Sequence, residues 1–68
     1  MTARRIIVRR ERAGGYPWPW TATLEALDRG EWVTLDSWDG DSPDDALDTL
    51  QAECLAARGC TDIIEREV

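Results

Sequence analysis

Apolar residues recur along this chain first with a period of two, then with a helical period, then briefly with a period of two again. Residues 4–12 set β-branched side chains between arginines, which predicts a strand with Ile6 and Val8 on the core face and Ile7 and Arg9 on the other. Ala13, Gly14 and Gly15 break it, and Tyr16-Pro17-Trp18-Pro19-Trp20 follows. Proline cannot donate to a ladder, so this segment reads as a strand entrance or an edge. The clearest alternation comes next. Trp18, Trp20, Ala22, Leu24 and Ala26 fall on one face and Pro19, Thr21, Thr23 and Glu25 on the other, the mark of a half-buried antiparallel strand. Asp28-Arg29-Gly30-Glu31 reads as a short turn with glycine where φ is positive. Residues 32–38 form a third strand, with Val33 and Leu35 on one face and Trp32, Thr34, Asp36 and Trp38 on the other.

The rest of the chain is organised around residues 39–59. Ser42 stands where a helix N-cap is expected, Pro43 at the first helical position, and Asp45 three residues after the cap in a weaker form of the capping box. Asp44, Asp45 and Asp48 suit the positive end of the helix dipole. Ala46, Leu47, Leu50, Cys54 and Ala57 fall within one stripe and predict the buried face, whereas Leu55 lies off it. Gly59 is placed to stop the helix in the C′ role. Residues 61–68 read as a short, charged fourth strand. The expected architecture is α+β, in the order β-β-β-α-β: an antiparallel meander with one helix across one face. A right-handed crossover should return strand 4 parallel to a strand already present, beside strand 1.

Length adds a constraint: 68 residues make one domain, 1–68. A chain of this size buries only about 60% of its unfolded surface, so its margin of stability is small. Eight arginines and no lysine or histidine stand against fourteen acids, a net charge of −6. The charge is split, because residues 1–12 hold five arginines and one glutamate whereas residues 13–68 hold three arginines and thirteen acids. Acidity of this kind repels nucleic acid and membrane surfaces and steers toward basic partners. No apolar run suits a signal peptide or a membrane span, so a cytoplasmic location is expected. The absence of lysine is what a high-GC coding sequence would give, which points to a bacterial or phage source and hence a bacterial host cell.

Little here suits catalysis. There is no histidine, and the carboxylates Asp36, Asp39, Asp41, Asp44 and Asp45 lack the walls that would bury a substrate and shift their protonation. Residues 39–45 are acid-rich with a glycine but do not follow the alternating ligand pattern of a calcium loop. Cys54 and Cys60 fall short of four zinc ligands, and reduced thiols are expected of them. No metal and no cofactor is therefore expected. Arg4, Arg5, Arg9, Arg10 and Arg12 could contact phosphates, but they can pair instead with neighbouring acids such as Glu25, Glu65 or Glu67, which argues against direct nucleic-acid binding.

The sharper candidate is a protein-binding surface, since tryptophan is enriched at binding hot spots. With Val33 and Leu35 toward the helix, Trp32 and Trp38 would stand on the solvent face as apolar anchors. Asp36, Asp39, Asp41, Asp44, Asp45 and Asp48 would supply an acidic rim for a basic protein partner. The competing reading is that the same face is buried in a homodimer.

The run Gly40-Asp41-Ser42-Pro43-Asp44-Asp45-Ala46-Leu47, after three strands, resembles the strand-to-helix junction of HicB-like antitoxin domains. That resemblance implies a domain that neutralises a small toxic nuclease. By type, a small acidic α+β chain is also similar to phage-encoded inhibitors of bacterial defence, anti-CRISPR proteins among them. This likeness implies a non-enzymatic blocker that occupies a basic groove of a nucleic-acid-handling protein.

Overall fold

The β-branched run becomes strand β1 (Arg4–Arg10) and the alternating run becomes β2 (Trp20–Asp28), in a computed structural model that describes residues 3–10 and 19–66. They are followed by β3 (Glu31–Gly40), helix α1 (Pro43–Glu53), a short helix α2 (Leu55–Arg58) and β4 (Ile63–Arg66). The four strands form one sheet in the order β3-β2-β1-β4. β1–β2 and β2–β3 are antiparallel, and β4 runs parallel to β1 with Ile6 opposite Ile63. The expected α+β meander with helical cover is the observed fold, and the fourth strand lies beside the first. The expected glycine break at 13–15, and Tyr16, Trp18, Arg12 and Glu67, lie outside the described residues.

The core lies between the sheet and the helices. Ile6, Val8, Ala22 and Leu24 from the strands meet Ala46, Leu50, Ala57 and Cys60. Alanine at Ala22, Ala46 and Ala57 lets the helical layer approach the sheet closely, and Ile6, Leu24 and Leu50 are the largest fully buried side chains. Among the described tryptophans none is fully buried: Trp20 packs on the margin of the core, Trp32 is half-buried and Trp38 is exposed. Ile7 is also buried although it faces away from the helices, in a row with Thr23 and Ile64.

Two turns carry backbone constraints. The β2–β3 hairpin closes through Arg29 and Gly30, whose φ values are 54° and 83°. Positive φ at both central residues belongs to the mirror-image turn whose twist matches a hairpin. At the other end of β3, Gly40 is buried against the start of α1, and a Cβ there would lie 2.4 Å from the Ala46 nitrogen. Only glycine permits this approach.

Helix α1 starts as expected. The Ser42 hydroxyl accepts from the Asp45 N–H at 3.1 Å, and Pro43 opens the first turn. The Asp45 carboxylate reaches back to accept from the Asp41 N–H at 3.0 Å, one residue earlier than in a regular capping box. The single expected helix is instead two. Cys54 takes extended angles, φ −127° and ψ 109°, and α2 begins after it. The break leaves carbonyls at the end of α1, and Arg58 turns back to satisfy two of them. Its Nε donates to the Gln51 carbonyl at 2.7 Å and its Nη2 to the Ala52 carbonyl at 3.1 Å. Gly59 follows the last helical residue but at φ −88°, so the expected left-handed C′ stop is not formed. Leu55 is off the buried face, as its position outside the stripe predicts, and is 76% exposed.

Candidate functional site

The expected anchor face depended on unbroken alternation in β3, and pairing with β2 does not permit it. Glu25 lies opposite Thr34 but Leu24 lies opposite Asp36, so Leu35 is an extra residue in a β-bulge. The bulge reverses the facing of everything after it. Trp32, opposite Leu27, is on the open face of the sheet, whereas Asp36 and Trp38, opposite Leu24 and Ala22, are on the helix face. Asp39, opposite Thr21, returns to the open face. The surface expected to join Trp32, Asp36, Trp38 and Asp39 is therefore divided between two faces.

On the open face, the Arg5 guanidinium stacks on the Trp32 indole at 4.0 Å from the ring centroid and binds Glu25 Oε1 through Nε at 2.7 Å. Arg5 and Glu25 are neighbours in register, and Trp32 lies on the next strand. The predicted pairing of the arginine strand with Glu25 is present. Trp32 has an internal cation for a partner, and sequence reading missed this because nothing local links residues 5 and 32. Asp39 Oδ1 accepts from the Thr21 hydroxyl at 2.9 Å.

On the helix face, the Asp36 carboxylate organises the end of β3. Oδ1 accepts from the Ser37 N–H at 2.9 Å, and Oδ2 from the Trp38 indole Nε1–H at 3.4 Å. Asp36 is half-buried and Trp38 is 39% exposed. The strand then passes through Gly40 into the exposed acids Asp41, Asp44, Asp45 and Asp48 at the start of α1. The structure thus keeps Asp36 and Trp38 together and joins them along the chain to the helix-start acids, while Trp32 and Asp39 are separated from them.

β3 is an edge strand. It exposes Val33 and Leu35 as well as Trp38, and its sequence holds three acids and no basic residue. The bulge and the engagement of the Ser37 N–H by Asp36 both interrupt the regular strand edge, which discourages pairing with another strand. Cys54 and Cys60 are free thiols, the first half-buried and the second buried with its Sγ 3.8 Å from the Asp62 carbonyl oxygen. Among the described residues no group of three acids or cysteines is arranged to hold a metal, and no helix is long and apolar enough to cross a membrane.

These features define an α+β protein that exposes three apolar side chains, Val33, Leu35 and Trp38, on one acidic edge strand. Compared with known proteins, the chain matches no family model, no curated protein and no solved structure.

Proposed function

We propose that the protein is a non-enzymatic binding module that engages a basic surface of a protein partner. The observation that carries this reading is β3 itself. Val33, Leu35 and Trp38 are exposed on a strand with no basic residue, and that strand continues into Asp41, Asp44, Asp45 and Asp48. An apolar anchor inside a field of one sign suits a partner of the opposite sign. In its most concrete form the partner is a nucleic-acid-handling protein whose basic groove is occupied, as an anti-CRISPR-like inhibitor would do in the bacterial cytoplasm. Trp32 is not part of this surface, because Arg5 covers its ring.

A HicB-like antitoxin domain is the second reading. The Ser42-capped helix following directly from the third strand at Gly40 favours it. The two readings differ in the partner, a toxic nuclease in the second.

Affinity capture from the host lysate, with and without added nuclease, tests the proposal when run beside Trp38→Ala and Asp44→Lys/Asp48→Lys variants. One stoichiometric protein is expected, resistant to nuclease and lost in both variants, and its identity chooses between inhibitor and antitoxin. Capture that disappears with nuclease would overturn the proposal and move the function to the arginines of β1.

A further inference from the structure

The protein contains, on its open face, a complete example of how it holds a guanidinium. Arg5 lies flat over the Trp32 indole while Glu25 takes its Nε–H. The helix face presents the same two kinds of group near each other on the edge strand. The Trp38 indole is exposed, and the Asp36 carboxylate lies along its Nε1–H at 3.4 Å. Among the described residues, none of the arginines stacks on Trp38 as Arg5 stacks on Trp32.

We infer that Trp38 and Asp36 form a receptor for the guanidinium of an arginine side chain carried by the protein partner, an inference that rests on the basic-partner reading above. Asp36 is suited to the task by what it already does. Each of its oxygens accepts one hydrogen bond, and a carboxylate oxygen has capacity for a second. Its contact with Nε1 is at the edge of the indole, so the carboxylate itself covers neither ring face, and Trp38 stays 39% exposed to solvent. A planar guanidinium can stack on such a ring and offer its N–H fork to the carboxylate at once, whereas a lysine ammonium can meet only one requirement well. The acids from Asp41 to Asp48 add attraction at longer range. A second copy of this chain is a poorer occupant, because it would bring two acidic edge strands together.

The test is an NMR titration of the tryptophan indole N–H resonances, with Trp38 assigned by its loss in Trp38→Phe. The probes are a glycine–arginine repeat peptide and its glycine–lysine counterpart at low salt. The arginine peptide should shift the Trp38 resonance and bind about fivefold more tightly than the lysine peptide. Asp36→Asn and Trp38→Ala should each remove that preference while the spectrum stays dispersed. Equal binding of the two peptides, or a Trp38 resonance that does not move, overturns the receptor. If Asp44→Lys/Asp48→Lys then abolishes binding while Trp38→Ala leaves it intact, the acidic-surface reading survives and the arginine site falls. If the wild type binds neither peptide, both fall. A Trp38 shift that depends on protein concentration without peptide assigns the face to a second copy and also overturns the inference.

Discussion

Trp32 and Trp38 lie on one strand at positions of the same parity, yet they stand on opposite faces of the sheet, because Leu35 is an extra residue between them. Each therefore has its own electrostatic environment: Trp32 sits under Arg5, and Trp38 is tied at its indole N–H to Asp36. Substitutions should respect this separation. Arg5→Ala should move the Trp32 indole resonance and leave Trp38 in place, and Asp36→Ala should do the reverse. If one substitution moves both resonances strongly, the two environments are not separate.

Arg5 makes two contacts that can be measured apart. A double-mutant cycle between Arg5 and Glu25 should give about 0.5 kcal/mol, and less in high salt, since the pair is partly exposed. A cycle between Arg5 and Trp32 should give about 0.5–1 kcal/mol. That value should persist better in salt, because stacking on the ring also covers apolar surface. Urea unfolding with and without 1 M salt checks both values.

Arg29 adopts a φ of 54° with a full side chain in the β2–β3 turn. Asparagine tolerates this region better, and Asn-Gly is the preferred pair for such a hairpin. Arg29→Asn should stabilise the protein by about 0.5–1 kcal/mol, seen as a higher thermal midpoint. A lower midpoint would mean that the arginine side chain makes a contact worth more than the backbone strain.

Gly40→Ala should be among the most damaging single-methyl changes in the chain. The added Cβ would meet backbone atoms of Asp45 and Ala46, which cannot move without displacing the start of α1. A cost of about 3 kcal/mol is expected, a large share of the stability of a domain this small. Circular dichroism during denaturant titration measures it. Gly59→Ala, where a Cβ meets nothing within 4 Å, serves as the control and should change little.

Leu50 and Leu55 form a second matched pair. Leu50 is fully buried against the sheet, and Leu55 is 76% exposed after the break at Cys54. Leu50→Ala should cost about 2–5 kcal/mol and Leu55→Ala about 0.5 kcal/mol or less. Equal effects in thermal unfolding would contradict the placement of the helices.

Much of this fold follows from local pattern. The alternation of residues 20–26 specifies a half-buried strand, because any other backbone would put Ala22 and Leu24 on different surfaces. Ser42 and Pro43 start the helix, since their cap and φ requirements are met within one turn. The stripe through Ala46, Leu47, Leu50, Cys54 and Ala57 marks the face toward the sheet, with Leu47 and Cys54 only half-buried, and leaves Leu55 outside it. What tertiary structure alone decided involves residues far apart in the chain. Residues 32–38 alternate without a visible fault, and the bulge at Leu35 exists only in the pairing of β3 with β2, so no reading of one strand could show that Trp38 changes face. The stacking of Arg5 on Trp32 likewise depends on β1 and β3 flanking the same central strand. The helix break is also a tertiary outcome, because Ala57 and Cys60 reach the core while Arg58 holds the carbonyls left behind. Periodicity is a property of neighbours along the chain, whereas register, bulges and facing are properties of the partner strand, and the candidate site depends on the second kind.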